Sequence, residues 1–222
     1  MGVGPGDPRM MTLMAVDTIK SCDVIAAPDT GGAENVALNI ARGFIDAQEI
    51  VKYPAPMTRD KARLDAAHRA TAADIYARLL RGQNIAFVTL GDPSVYSTYM
   101  YVHRLVRELG GQAKLIPGIT SFCAVASALG TSLCDDGTPL HIIPASYDGT
   151  DEALNLPGTK VLMKSGKQLH GVLNLLKEKN MLQNARMVTC AGMENERIFE
   201  NLDGEMPDAG YFTTILVKEN RI

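Results

Sequence analysis

The sequence lacks any apolar run close to the roughly 18 residues that a membrane-spanning helix requires. It also lacks a basic-then-apolar leader at its start. Hydrophobic residues make up 46% and charged residues 21% of the 222 residues, a balance typical of folded globular proteins and unlike that of disordered chains. We therefore expect a soluble, cytoplasmic protein with no membrane partner.

Cysteine and histidine are scarce and scattered. The four cysteines form no C-x-x-C motif, and the four histidines form no H-x-x-x-H or H-E-x-x-H pair. These spacings support neither a disulfide framework nor a zinc site. We expect buried, reduced thiols and no bound metal. The cysteines are Cys22, Cys123, Cys134 and Cys190.

The chain also lacks an excess of either charge. It has 22 Lys and Arg residues against 25 Asp and Glu residues, which gives a formal net charge of −3. Nucleic-acid binders usually carry an overall basic excess. We therefore expect no nucleic-acid partner, although a local basic patch facing a small anionic molecule is compatible with this balance.

Apolar segments that alternate with amphipathic ones indicate an α/β fold. Thr12 is predicted to cap a helix that ends at Ser21, and Gly82 to follow a helix that begins at Thr58. Strands joined by helices of this length need crossover connections, which predict a mainly parallel sheet. Further helices are predicted over 95–109, 120–129 and 168–179, and strands over 23–27, 49–53, 84–89, 112–116, 140–144, 161–164, 187–191 and 212–217.

One turn-rich segment, Asp135-Asp136-Gly137-Thr138-Pro139, is the best candidate for a linker between domains. Beyond it the sequence indicates further short strands and one longer helix. We therefore predict two domains, an N-terminal α/β domain over 1–136 and a smaller C-terminal α/β domain over 137–222.

The first glycine-rich loop opens the chain with G-V-G-P-G-D-P, just before the predicted helix. A dinucleotide-binding fingerprint requires G-x-G-x-x-G, whereas these glycines run G-x-G-x-G. Pro5 also removes a backbone donor that a pyrophosphate would use. Asp29, at the end of the next strand, matches the ribose-binding acid of that fingerprint. The dinucleotide alternative therefore stays open, as does a tight turn that binds nothing.

Two further loops follow predicted strands. The second reads L-G-D-P-S-V-Y from Leu90 to Tyr96, and the third reads P-G-I-T-S from Pro117 to Ser121. Ligands of open α/β sheets bind outside the carboxyl ends of the strands, and glycine there lets a ligand approach the backbone. Asp92 is then either a helix cap or a functional group. Together with the first loop, these segments are expected to line one pocket.

The three motifs, in this order, resemble the tetrapyrrole (corrin/porphyrin) methylase family, and the likeness extends to Y-F-T-T-I-L-V at 211–217. The resemblance implies two α/β domains with an active-site trough between them, a homodimer, and S-adenosyl-L-methionine (SAM) as methyl donor, with S-adenosyl-L-homocysteine as product. It also implies a polycarboxylate tetrapyrrole substrate. Segments 53–60, 90–99 and 134–140 most resemble members that methylate C20 of precorrin-2, or of its cobalt form, in cobalamin biosynthesis. Family members usually have a strand before the first loop, whereas here only Met1 precedes Gly2.

The resemblance carries SAM-binding roles to particular positions, and the spacing of two polar residues suggests catalytic roles. Asp92 and Tyr96 are the candidates to steer the macrocycle or to assist the loss of a proton from the methylated carbon. This catalytic role is a hypothesis based on their spacing, one helical turn beyond a strand end. The positions that match contacts to SAM are Pro5, Leu90, Gly91, Asp92, Val95, Thr120, Ser121, Met163 and Ala191.

A polycarboxylate is repelled by a chain of net charge −3 unless cations are concentrated near the site. A basic cluster flanks the proline-rich turn at 54–56, although the same residues also suit a solvated helix start. Its members are Lys52, Arg59, Lys61 and Arg63. His103 lies seven residues after Tyr96 and is expected on the same helix face, where a packed histidine is favoured over a catalytic base.

Several alternatives remain open from the residues alone. The chain could be a porphyrinogen or precorrin methylase of different regiospecificity. It could be a ribosomal-RNA 2′-O-methylase of the same fold, which the acidic balance disfavours. From a different class, it could be a non-catalytic module that keeps a nucleotide pocket.

Overall fold

The alternating strands and helices form two separate sheets. A computed structural model describes residues 1–31, 35–145, 147–204 and 210–219. The chain divides into unit 1, Met1–Thr120, and unit 2, Ser121–Ile222. This division falls ahead of the predicted boundary between 136 and 137, because the helix that opens unit 2 contacts the last strand of that unit's own sheet.

Unit 1 contains three strands, β1 (Val24–Asp29), β2 (Glu49–Pro54) and β3 (Ile85–Phe87). They pair in parallel in the order β2-β1-β3, which confirms the crossover topology predicted from the sequence. The helices are α1 (Leu13–Ser21), α2 (Val36–Ala41), α3 (Lys61–Leu80) and α4 (Tyr99–Glu108), with 3-10 turns at Pro8–Met10 and Arg42–Phe44.

Helices α1, α2 and α3 begin where the side chain of the N-cap residue accepts hydrogen bonds from their first amides. The Thr12 hydroxyl accepts a hydrogen bond from the Ala15 N–H at 3.1 Å, which confirms the predicted cap of α1. The Asp60 carboxylate accepts hydrogen bonds from two amides in the first turn of α3. Gly82, with φ of +82°, follows the end of α3 as predicted.

Strand β1 is buried on both faces, which explains its continuous apolar sequence. On one face, Ile25 belongs to a buried cluster that includes Ile19 of α1. On the other face, Ala26 belongs to a second cluster that includes Ile75 of α3 and Phe87 of β3. The sheet of unit 1 is therefore covered on both sides by its own helices.

The first residues of the chain extend this sheet. The Thr89 N–H donates to the Met1 carbonyl at 2.9 Å, and the Val3 N–H donates to the Thr89 carbonyl at 3.0 Å. The Gly2 N–H donates to the Ile116 carbonyl at 2.9 Å. Residues 1–3 thus pair with two neighbouring segments, so a short strand-like segment does lead into the first glycine loop.

Unit 2 opens with α5 (Ser121–Ala128) and continues through β4 (Leu140–Pro144), α6 (Thr150–Leu154), β5 (Thr159–Met163), α7 (Leu169–Glu178), β6 (Ala185–Thr189), β7 (Arg197–Phe199) and β8 (Thr213–Val217). It also has 3-10 turns at Gly166–Gln168 and Leu182–Asn184. The five strands pair in the order β4-β5-β8-β6-β7, with β4 and β5 parallel and β8 antiparallel to both β5 and β6. Leu162, Leu176 and Ile215 lie in the buried cluster between this sheet and α7.

Two predictions about secondary structure are wrong, and two short elements, α6 and β7, are not predicted by the sequence. Helix α4 begins at Tyr99 rather than at Val95, because Tyr96 has a left-handed backbone with φ of +49° that a right-handed helix cannot contain. The segment 112–116 has no regular secondary structure, and its contact with the sheet is the hydrogen bond from Gly2 to Ile116. Strand β7 was not predicted at all; it is three residues long and largely exposed, so it has no apolar pattern.

All four cysteines are free. Cys123 and Cys134 are exposed, so the expectation that the thiols are buried is wrong for these two. Within the described ranges, no helix combines the length and apolar character that a membrane span needs. The same ranges hold no group of three or more His, Cys, Asp or Glu side chains able to bind a metal ion.

Candidate cofactor-binding site

The three glycine loops meet at the carboxyl edge of the unit 1 sheet. The first and second loops form a two-residue bridge, in which the Gly91 N–H donates to the Gly4 carbonyl at 2.8 Å and the Gly4 N–H donates to the Gly91 carbonyl at 3.3 Å. This bridge sets Pro5 beside Leu90 and Gly91. Three of the predicted contacts to SAM are therefore brought together by backbone pairing alone.

Glycine is required where these loops cross. A Cβ atom at Gly2 would lie 2.4 Å from the Gly91 carbonyl oxygen, and one at Gly118 would lie 2.2 Å from the same oxygen. Both distances are below the 3.0 Å that real Cβ atoms respect, and the atom they meet belongs to the backbone. The first, second and third loops thus pack backbone against backbone, which only glycine permits at these two positions.

The Asp92 side chain links the second loop to the third. Its Oδ2 accepts a hydrogen bond from the Gly118 N–H at 2.8 Å. Its Oδ1 accepts one from the Ser94 N–H at 2.8 Å and one from the Ser94 hydroxyl at 2.5 Å. Partial burial opposes ionisation of this carboxyl, but the hydrogen bonds from Ser94 and Gly118 outweigh it and lower the pKa of Asp92.

Tyr96 lies in the loop between β3 and α4. Its side chain is 44% exposed, and partial burial raises the pKa of its phenol. Because Tyr96 precedes α4, the assumed spacing of one helical turn between Asp92 and Tyr96 is wrong, and so is the shared helix face with His103. A left-handed non-glycine residue is strained, and such residues are concentrated at functional sites.

His103 is a packed residue of α4, as the sequence favoured. Only 7% of its surface is exposed, and its ring lies edge-on to Tyr99 with the ring centroids 5.7 Å apart. Burial, together with the positive charge of Arg107, lowers the pKa of His103. Its Nδ1 is buried and has no hydrogen-bond partner among the residues that the structure describes.

Thr120 carries an unsatisfied hydroxyl at the end of the third loop. Its Oγ1 is buried, and the described ranges contain no hydrogen-bond partner for it. A buried hydroxyl without a hydrogen-bond partner destabilises the fold, so such groups commonly mark the place where a ligand or a water molecule binds. Thr120 is the last residue of unit 1, and Ser121 begins α5 in unit 2.

In unit 2, two predicted contacts lie at one edge of the sheet. Met163 ends β5 and pairs with Thr214, while Thr189 ends β6 and pairs with Thr213. Ala191 follows β6 by two residues. Because β5 and β6 flank β8 and run in the same direction, Met163 and Ala191 lie on either side of the first residues of β8.

Both strand ends at this edge continue into strained backbone. Lys164, directly after β5, has φ of +58°, and Cys190, directly after β6, has φ of +53°. The Cys190 N–H donates to the Phe212 carbonyl at 2.8 Å, and this bond fixes the turn. Burial lowers the pKa of Lys164. The two left-handed residues beside Met163 and Ala191 were not predicted, because no residue type in this sequence marks them.

The basic cluster lies near the carboxyl end of β2. Lys52 is a residue of β2 and Lys61 is the first residue of α3, while Arg59 and Arg63 lie on either side of that helix start. All four side chains are exposed. Since β1, β2 and β3 are parallel, their carboxyl ends lie at the same edge of the sheet, so the cluster and the glycine loops leave the sheet at the same edge.

The sequence profile of the Tetrapyrrole (Corrin/Porphyrin) Methylases matches residues 1–207 of the chain. The chain belongs to this methylase family. Of the residues marked by the resemblance, Gly91 and Asp92 take part directly in the contacts that join the loops of unit 1.

Curated relatives from this family align over most of the chain. The probable cobalt-precorrin-2 C(20)-methyltransferase of Methanocaldococcus jannaschii is 31% identical over 181 residues, which cover 81% of this chain and 76% of the relative. The cobalt-precorrin-2 C(20)-methyltransferase of Salmonella typhimurium is 29% identical, covering 99% and 94%. The precorrin-2 C(20)-methyltransferase of a Sinorhizobium species is 27% identical, covering 98% and 93%.

Solved structures of tetrapyrrole methylases share the two-domain α/β fold. A cobalt precorrin-4 methyltransferase superposes with a TM-score of 0.77 at 18% identity, covering 98% of this chain and 92% of the other. The uroporphyrin-III C-methyltransferase of Thermus thermophilus, solved in complex with S-adenosyl homocysteine, superposes with a TM-score of 0.71 at 18% identity, covering 99% and 95%. The predicted fold class is confirmed by these likenesses.

Proposed function

We propose that this chain transfers a methyl group from SAM to C20 of precorrin-2 or of cobalt-precorrin-2. The observation that carries the proposal is the crossing of three glycine loops at the carboxyl edge of the unit 1 sheet, beside the unsatisfied Thr120 hydroxyl. The choice of C20 is supported by relatives of that name, which align with nearly the whole chain.

The residues at the crossing suit a small ligand such as SAM. An added Cβ at Gly91 would have no neighbour nearer than the Ile119 carbonyl oxygen at 3.9 Å, so a ligand can approach the main chain closely there. The Thr120 hydroxyl still requires a hydrogen-bond partner. The residues proposed to hold SAM are Pro5, Leu90, Gly91, Asp92, Val95 and Thr120 in unit 1, and Ser121, Met163 and Ala191 in unit 2.

Bound SAM supplies an electrophilic methyl group on a sulfonium centre. The residues of this chain contribute mainly by alignment, which in well-oriented systems supplies up to roughly 7–11 kcal/mol. Rigid backbone pairing of Gly4 with Gly91 is suited to this task, because it fixes the loop before a ligand arrives. Tyr96 keeps its phenolic proton, since burial raises its pKa, and we propose that it donates a hydrogen bond that steers the macrocycle.

The basic cluster of Lys52, Arg59, Lys61 and Arg63 is proposed to bind carboxylates of the tetrapyrrole. Cations at the amino end of a helix are disfavoured by the helix dipole by about 0.3–1 kcal/mol each. The Asp60 carboxylate, which caps the first amides of α3, supplies one negative charge against these four cations. An anionic substrate would relieve this accumulation of positive charge and would be attracted by it despite the net charge of −3.

The family resemblance also supports a homodimer that works in the cytoplasm. Light scattering of the purified chain tests the dimer, with twice the monomer mass of 23.9 kDa expected. Fractionation of cells that express the chain tests its location.

Calorimetry and methyl transfer test the function itself. We expect the purified chain to bind S-adenosyl-L-homocysteine and not NAD, and to transfer a labelled methyl group from SAM to precorrin-2 or cobalt-precorrin-2. Binding of NAD alone would revive the dinucleotide alternative. Binding of S-adenosyl-L-homocysteine without transfer to any tetrapyrrole would support a non-catalytic module instead.

A further inference from the structure

The Asp92 carboxylate lies at the junction of the second and third loops with both oxygens engaged. Oδ2 accepts the Gly118 N–H, and Oδ1 accepts both the N–H and the hydroxyl of Ser94. A general base must approach the proton it removes to about 2.6–3.2 Å with a free lone pair. A carboxylate held by three donors is a weak base, and the lowered pKa of Asp92 agrees with this.

The three glycines at the loop crossing contribute no side chains to it, although Val3, Leu90 and Ile116 pack in one hydrophobic cluster nearby. Gly2, Gly91 and Gly118 meet through backbone atoms, so dispersion between side chains contributes nothing at that point. The hydrogen bond from Gly118 to Asp92 is a side-chain link between the second and third loops, and its acceptor is charged. Hydrogen bonds to charged groups are stronger than neutral ones.

The segment held by this link leads directly to Thr120. Gly118 is two residues before Thr120, whose buried hydroxyl has no hydrogen-bond partner within the described ranges. A shift of Gly118 therefore moves the hydroxyl that we propose contacts SAM. Because the two residues are so close in the chain, a displacement of Gly118 by a few tenths of an ångström is enough to change a hydrogen bond made by the Thr120 hydroxyl.

We infer that Asp92 is a positioning residue, whose carboxylate holds Gly118 and thereby sets the Thr120 hydroxyl for the methyl donor, and that it does not take the proton from the substrate. The inference rests on the proposed function, because it concerns the binding of SAM. It replaces both the proton-acceptor role and the direct contact to SAM expected for Asp92, and it leaves Tyr96 in its steering role.

Asp92→Asn tests this inference. An amide has one acceptor oxygen, so its NH₂ group must face the N–H of either Gly118 or Ser94. We expect the dissociation constant of S-adenosyl-L-homocysteine and the KM for SAM to rise about tenfold. At saturating SAM, kcat should stay within about threefold of wild type, and the acidic limb of its pH profile should not move. Asp65→Asn, which changes an exposed partner of Arg69 in the same unit, is the matched control and should change neither constant.

Two outcomes would overturn the inference. One is an unchanged affinity of Asp92→Asn for S-adenosyl-L-homocysteine. The other is a loss of kcat at saturating SAM together with a loss of the acidic limb of the pH profile, which would make Asp92 the proton acceptor. Failure of the wild-type chain to bind S-adenosyl-L-homocysteine would instead reject the proposed function, so the two failures are distinguishable.

Ser94→Ala keeps the test decisive if Asp92→Asn does not fold. It deletes the hydroxyl bond to Oδ1 that fixes the orientation of the Asp92 carboxylate, so Oδ2 is held less firmly against the Gly118 N–H. We expect an affinity about twofold to fivefold weaker, with faster amide hydrogen exchange at Gly118 in the unliganded protein. Unchanged affinity and unchanged exchange at Gly118 would overturn the inference.

Discussion

Replacing Gly118 with alanine tests the crossing of the glycine loops. The new Cβ would lie 2.2 Å from the Gly91 carbonyl oxygen and 2.9 Å from the Gly2 Cα, whereas ordinary contact begins at 3.4 Å. Both neighbours are backbone atoms, so the third loop has to move by roughly 1 Å rather than displace a flexible side chain. We expect unit 1 to lose about 1–3 kcal/mol of stability, the usual range for overpacking.

Alanine substitutions at two other glycines distinguish the steric clash at Gly118 from backbone strain. Gly43 has ordinary φ and no atom within 4 Å of an added Cβ, so Gly43→Ala should be neutral or stabilise by about 0.4–1 kcal/mol. Gly91 has φ of +67° but its nearest contact is 3.9 Å away, so Gly91→Ala should cost about 1–2 kcal/mol through strain alone.

Hydrogen exchange of the slowest amides in β1, β2 and β3 measures the stability of unit 1 apart from unit 2. Calorimetry with S-adenosyl-L-homocysteine measures the effect on the site, and Gly118→Ala should weaken binding because it displaces the third loop. The close crossing is refuted if the stability of unit 1 in Gly118→Ala lies within about 0.5 kcal/mol of that in Gly43→Ala and the variant binds S-adenosyl-L-homocysteine normally.

Three further predictions concern contacts away from the crossing. Burial and a hydrogen bond to the Asp74 carboxylate of α3 raise the pKa of Tyr53 above its ordinary 10.0. The protonated phenol therefore stabilises the fold below pH 10, and this contribution is lost as the pH rises further. Tyr53→Phe should be less stable at pH 7 by about 1–2 kcal/mol in urea unfolding, and the difference should shrink above pH 10. The Lys218 ammonium donates a hydrogen bond to Asp135 at 2.6 Å and lowers the pKa of that carboxyl. Lys218→Met should therefore reduce stability at pH 7, and the difference in stability from wild type should disappear as acid protonates Asp135. Arg59→Glu should raise the KM for the tetrapyrrole about fivefold at low salt and less at high salt, whereas Arg81→Glu at the far end of α3 should not.

The sequence predicts the topology of unit 1 well because its signals are local. Thr12 before an amphipathic segment and Gly82 after one mark helix ends through their own hydrogen-bonding and backbone preferences. The continuous apolar run of β1 indicates a strand buried on both faces. Glycine loops after such strands then fall at the carboxyl edge without any knowledge of tertiary contacts.

The rest of the site depends on contacts between distant residues. The approach of Gly118 to Gly2 and the hydrogen bond from Gly118 to Asp92 join segments that no sequence pattern connects. The left-handed backbone of Tyr96 is equally hidden, since tyrosine rarely adopts it, and it explains why the start of α4 was misplaced. The contact of α5 with β8 is likewise a tertiary feature that no local sequence pattern indicates.

The position of the transferred methyl group tests the central claim most directly. The chain is incubated with precorrin-2, with and without cobalt, and with SAM that carries carbon-13 in its methyl group. Carbon NMR of the product should show a single new labelled methyl at C20. A label at any other carbon, or no label in either tetrapyrrole, would contradict the proposed function.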